Sequence, residues 1–241
     1  MLPANQKNWG TVELPDILTE ENIEEAANLV RRYYFVPDPK TGLLGTGSQF
    51  DDWAADKALK HPNEITDSDL VAVSLLTVTV TGKAAIGLRA AKDDITRLLV
   101  KIPNDVDLHD VPADQRESII GDGAPARDLW TILVGERGTK WGIGATTASK
   151  ILARKRPRLL PIFDTVIRDL VGRDNTRDQW RNWHALLTDG TGLPERLERI
   201  HKLSTVKRPL THLRIMDVVV WMHGKDQGFV GGRSRQTPVA P

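Results

Sequence analysis

The chain of 241 residues contains no cysteine. That excludes disulfides, thiolate metal sites, a cysteine nucleophile and a cysteine-ligated iron–sulfur cluster. Net charge is almost absent too: 33 basic side chains face 32 acidic ones, so bulk charge names no partner. No apolar run approaches the roughly 20 residues of a membrane span. The N-terminus lacks a signal-peptide pattern, so the expected location is cytoplasmic, with no membrane partner. The six histidines are scattered. His201 and His212 come nearest to a pair, and their spacing fits no ligand motif; the expectation is no metal and no cofactor. There is no internal repeat and no shift in composition that marks a domain boundary.

What is present suits one large domain or two small ones. Hydrophobic residues make up 40% of the chain and charged residues 27%, enough for a core and ordinary for a folded domain. Charge is unevenly distributed. Residues 140–173 hold eight cations and two acids, whereas residues 11–70 hold thirteen acids and five bases. A local basic patch can bind a polyanion even when net charge is near zero.

The pattern along the chain predicts an all-α fold: a loose arm over 1–17, a single helical domain over 18–224, and a disordered tail over 225–241. "TEENIEEAANLVRRYYF" opens on Thr19 as N-cap, carries acids in its first turn, and repeats apolar residues at helical spacing through Phe35. A short helix is expected over 49–59. "ITDSDLVAVSLLTV" has Thr66 or Asp67 as cap and reads as a buried helix, although "LLTVTVTG" alternates like a strand. "AKDDITRLLVKI" is amphipathic and ends before Pro103. "APARDLWTILVGERG" starts on Pro125 and stops at Gly138. Further helices are expected over 145–155, from Asp164, across "TRDQWRNWHALL" with Trp180 and Trp183 in the core, and in "LPERLERIHKLS" and "LTHLRIMDVVVWMHG".

The densest chemistry lies in "KWGIGATTASKILARKRPRLLPIFDTVIRDLVG", residues 140–172. Gly142 and Gly144 can adopt backbone angles denied to other residues, and Ile143 between them can plug into the core. Amides from Ala145 onward lack helical partners and can meet a phosphate. Small residues through Thr147 and Ala148 allow close approach, and Lys150 follows on the same helix. With the helix from Pro125, this makes a helix–turn–helix pair over about 125–155. Arg154, Lys155, Arg156 and Arg158 form a basic run beyond it. The run reads either as a solvated turn or as a phosphate-binding strip, for which arginine is suited. Asp164 emerges from the apolar "LLPIF" and reads either as an N-cap or as a catalytic carboxylate.

Together "GIGATTASKIL" and "LPIFDTVIRDLVG" resemble the helix–hairpin–helix DNA glycosylase superfamily, the group related to endonuclease III. Its members carry a Gly-apolar-Gly hairpin, a Thr-Ala at the helix start and an aspartate followed by Thr. The strong match covers about 35 residues, here Gly142-Ile143-Gly144, Thr147-Ala148, Pro161 and Asp164-Thr165. The string "ARKRPRLLPIFD" also looks like a bacterial domain family without an assigned activity. The resemblance implies a DNA partner and a candidate catalytic role for Asp164, which would stabilise positive charge on the sugar as a base leaves. Thr146 stands where bifunctional members have a Schiff-base lysine, so strand cleavage is not implied. Val166 stands in the place of a histidine. Trp53, Trp130, Trp141 and Trp221 are candidates for a base pocket. Two other readings stay open: a non-catalytic nucleic-acid-binding module, and an interaction domain whose basic face meets an acidic surface. Oligomeric state is left open.

Overall fold

The computed structural model describes residues 13–135, 141–167 and 178–229. The described residues are all-helical, without a strand. The chain enters through two 3-10 turns, Asp16–Leu18 and Glu20–Asn22, and then forms α1, Ile23–Phe35. There follow α2 (Ala55–Lys60), α3 (Asp67–Ser74), α4 (Gly82–Ala90) and α5 (Lys92–Leu99). Next come α6 (Arg116–Ile120), α7 (Pro125–Val134) and α8 (Ala145–Lys155). The last three are α9 (Gln179–Leu187), α10 (Leu193–Ser204) and α11 (His212–Asp226).

Two groups of helices share one core. In the first, α1 packs against α10 and α11. Its buried residues Ile23, Ala26, Ala27, Leu29, Val30 and Tyr34 recur at helical spacing, and Glu24 and Glu25 occupy its positive end. In the second, α8 lies between α3 and α7, and α7 also touches α5 and α6. Every residue of α8 from Ala148 to Lys155 is buried, cations included. A helix so placed buries its polar face as well as its apolar one, and its charges must find partners inside the protein.

Local chemistry sets the boundaries. Thr66 caps α3 in a reciprocal box with Asp69. Gly135, at φ 73°, ends α7 earlier than the expected stop at Gly138, which falls outside the described residues. The alternating "LLTVTVTG" forms no strand: α3 ends in a turn, and Thr81 caps α4 by accepting from the Ala84 amide at 3.2 Å. The helix expected over 49–59 is instead a 3-10 turn, Thr46–Gln49, followed by α2.

The described residues beside the expected arm and tail boundaries are packed. Ile17 and Leu18 are fully buried. α11 continues to Asp226, which pairs with Arg32 at 2.7 Å. The remainder of the expected arm and tail lies outside the described residues.

The hairpin turn before α8 is docked by Trp141, whose ring covers Gly87 of α4. A Cβ at Gly87 would lie 2.4 Å from that ring. Gly87→Ala would gain helix propensity of up to about 1 kcal/mol, but overpacking a rigid indole costs about 1–3 kcal/mol. The expected result is a lower urea midpoint with an unchanged m-value.

Candidate functional site

The basic run does not face solvent. Arg154 of α8 bonds Asp69 at 3.2 Å, the Phe50 carbonyl at 2.7 Å and the Trp53 carbonyl at 2.5 Å. Lys155 bonds Asp69 at 3.0 Å and the His61 carbonyl at 2.9 Å. Arg156, 1% exposed, donates to the carbonyls of Ile102, Pro62, Lys155 and Leu99 and to the Asn63 side chain. Burial lowers its pKa to about 10, so it stays charged at neutral pH inside a cage of neutral oxygens. These three cations stitch the loops at 50–53, 61–63 and 99–102 to α8. The expected phosphate strip is therefore corrected at Arg154, Lys155 and Arg156, because their donors are spent on buried carbonyls and on Asp69. Arg158 is half-exposed but pairs with Asp107.

The same finding accounts for the uneven charge along the sequence. Acids of the first 70 residues neutralise cations of the second half: Asp69 with Arg154 and Lys155, Asp51 with Arg214, Asp52 with Arg208, and Glu20 with Arg196 and Arg199. Among the described residues of the basic segment, Lys150, Arg154, Lys155 and Arg158 pair with acids of the same chain.

A different charged group opens onto a cavity of about 390 Å³, within the range of small-molecule sites. Its walls include Tyr33 of α1, Leu76 and Thr77 after α3, Lys150 of α8, Asp164, and Asp217 and Trp221 of α11. Lys150 is 3.1 Å from Asp164 Oδ2 and 2.9 Å from the Leu76 carbonyl. Asp164 Oδ1 accepts from the Val166 amide at 3.0 Å. One carboxylate oxygen thus caps a turn, and the other meets Lys150 at the cavity wall.

The segment carrying Asp164 is tethered on both sides. The Phe163 amide donates to Ser149 Oγ at 2.9 Å, and Gln179 Nε2 donates to the Ile162 carbonyl at 2.7 Å. Thr77 has φ +61°, a strained conformation for a β-branched residue, and such strain gathers at functional sites.

Asp217 was not anticipated. It is buried beside Arg214 at the cavity wall, and Arg214 bonds it at 2.5 Å. Burial, joined by the charge of Asp164 and opposed by Arg214 and Lys150, pushes its pKa up to about 6. The signal was an acid inside the apolar "RIMDVVVWM", three residues after an arginine. Arg214 also holds Asp51, the Tyr33 hydroxyl and the Gly47 carbonyl. Burial opposes its charge, but Asp51 and its other neighbours raise its pKa well above the ordinary value.

The hairpin residues divide as their types suggest. Gly142 and Gly144 are exposed and Ile143 is buried. Gly142 has φ +74°, which requires glycine there. Ala145 and Thr147 are half-buried at the start of α8. Of the four tryptophans proposed for a pocket, Trp221 lines the cavity. Trp130 packs edge-on against Trp180, Trp141 covers Gly87, and Trp53 lies at the surface.

Residues 26–224 match the family described as "Family of unknown function (DUF6308)". The chain belongs to this family. No curated protein and no solved structure matches it. The DUF6308 span contains every cavity-lining residue from Arg32 to Met222 and the whole Asp69 network. No helix among the described residues is long and apolar enough to cross a membrane.

Proposed function

We propose that this DUF6308 protein is an N-glycosyl hydrolase that releases a base from a nucleic acid and leaves the strand intact. The observation that carries the reading is the Asp164 carboxylate at the wall of an aromatic-sided cavity, beside Lys150. The acids and bases lining that cavity, besides the Tyr33 phenol, are Arg32, Lys150 and Arg214 against Asp38, Asp164 and Asp217, a formally balanced set. It suits a flat neutral group such as an unstacked base better than a phosphate. Phosphate contacts belong instead to the amides of the exposed turn at Gly142–Gly144, six residues or about 9 Å along α8 from Lys150.

Asp164, held by Lys150 at 3.1 Å, stabilises the cationic sugar that forms as the base departs. Water bonds to the anomeric carbon, the carbon–nitrogen bond breaks, and its electron pair leaves with the base. Asp217, protonated below about pH 6, supplies the leaving base with its proton, and the proton lost by water returns to the carboxylate pair. The Lys150 amine is held by Asp164 and the Leu76 carbonyl, and Thr146 offers no amine. Both features support base release without strand cleavage.

The test is a panel of duplexes with damaged, modified or mispaired bases, incubated with protein and resolved with and without hot alkali. Breaks appearing only after alkali are the expected result; binding to the panel without base release would overturn the hydrolase reading. On a substrate that is cut, the rate should fall as pH rises through about 6, where Asp217 loses its proton. Asp217→Asn should lower the rate and flatten that profile. A wild-type profile already flat between pH 5 and 8 would remove Asp217 from the chemistry.

A further inference from the structure

On the face carrying the Pro157–Arg158 turn, Asp107, His109 and His212 converge, with candidate ligand atoms within 4.8 Å of one another. They come from distant parts of the sequence, and two hydrogen bonds to the turn bring them together. The Leu108 amide donates to the Arg158 carbonyl at 2.9 Å, which fixes the 3-10 turn Leu108–Asp110. Thr211 Oγ1 donates to the Pro157 carbonyl at 2.9 Å, which fixes the start of α11 and hence His212. His201, nearest to His212 in the sequence, takes no part: it bonds the Arg208 carbonyl, and the neighbour of His212 is His109.

The orientation of the two rings is the decisive observation. His109 Nε2 lies 3.5 Å from Asp110, and His212 Nε2 lies 3.5 Å from Glu198. Each carboxylate favours a hydrogen on Nε2, which leaves both Nδ1 atoms as lone-pair donors. Those two Nδ1 atoms face one another at 3.5 Å. Two lone pairs so placed repel unless a cation lies between them. Tetrahedral ligands at about 2.0–2.1 Å from zinc are separated by about 3.3 Å, close to the spacing found. A carboxylate behind each ligating imidazole is the usual outer arrangement of such sites.

We infer that His109 Nδ1, His212 Nδ1 and an Asp107 oxygen form a binding site for a divalent transition-metal ion of the zinc class, distinct from the Asp164 cavity. Two imidazoles and one carboxylate suit zinc or its neighbours and not magnesium or calcium, which take oxygen ligands. Three protein ligands leave a fourth position for water or another small donor. Arg158 competes for Asp107, with which it pairs, and so weakens the site.

The experiment uses the full-length chain, stripped with chelator and titrated with Zn²⁺, Co²⁺ and Mg²⁺ by calorimetry, with the Co²⁺ titration also followed by absorbance. One Zn²⁺ or Co²⁺ per chain should bind, Co²⁺ with the intense visible bands of a low-coordinate site, and Mg²⁺ should not. His109→Ala and His212→Ala should each abolish binding, and Glu198→Gln should weaken it about 10–100-fold. Arg158→Gln, at a half-exposed position, should tighten it by freeing Asp107. Zn²⁺ binding that survives both histidine variants would overturn the assignment. So would histidine ¹⁵N resonances of the wild type that respond to acid but not to Zn²⁺, because a shared proton would then be the cation between the rings.

Discussion

Asp69→Ala is expected to cost about 3–5 kcal/mol of stability, the range for removing one partner of a buried ion pair. Asp69 is 1% exposed and accepts from Arg154, Lys155, the Thr66 amide and the Thr66 hydroxyl. Its removal strands two buried cations and opens the capping box of α3 at once. Asp69→Asn keeps an acceptor for Thr66 but not the charge, and should fall between wild type and alanine. Urea titration at neutral pH measures both. A loss below about 1 kcal/mol for the alanine variant would mean that the cations relax to other acceptors, as a surface pair would allow.

The acid dependence of that difference has a definite sign. Burial would raise the pKa of Asp69, but the Thr66 amide and Lys155 hold it below the ordinary carboxylate range. A depressed folded pKa contributes stability above the unfolded value, near 4, and loses it as pH falls through the folded value. The gap between wild type and Asp69→Ala should therefore be full at pH 7 and shrink under acid. Asp217 acts in the opposite sense. With its folded pKa at about 6, the native state binds the extra proton between about pH 4 and 6, so its contribution grows as pH falls through that window.

The helices were legible where a single rule decided them. α8 follows from the glycine turn and small residues before and at its start, the stretch from Thr66 to Ser74 follows from its cap, and Trp180 and Trp183 are buried as their amphipathic helix implied. The fate of "RKRPR" was not legible. A run of cations signals solvent or a polyanion unless its carbonyl and carboxylate partners are known, and apart from the Lys155 carbonyl these lie 51 to 104 residues away along the chain. Long-range acceptors leave no local pattern. The acid-rich first third hinted at the answer through charge balance, but balance alone could not say whether the complement was internal or external. Asp164 was legible as a special acid because it follows an apolar run. Asp217 was not, because it sits mid-helix in residues that all read as core.

Asp164→Asn is expected to reduce base release by at least about a hundredfold, the scale on which one charge-stabilising group at a transition state is felt. Asparagine keeps an oxygen for the Val166 amide, so the turn that Asp164 caps should survive. It places an amide where Oδ2 met Lys150 at 3.1 Å, leaving a buried ammonium with the Leu76 carbonyl but no anion. Stranding the cation of a buried pair costs up to about 3–5 kcal/mol, so a fall in activity could reflect damage to the fold. Lys150→Met separates the two effects. Combined with Asp164→Asn, it removes the stranded cation, and the double variant should regain much of the lost urea midpoint. If Asp164 acts only through its pairing with Lys150, activity should return with stability. If Asp164 faces the developing sugar cation, the double variant should be as folded as wild type and still release no base, while its affinity for the oligonucleotide stays equal or rises slightly for want of a repulsive carboxylate. Recovery of base release in the double variant would assign Asp164 to the fold and leave the cavity without its catalytic group.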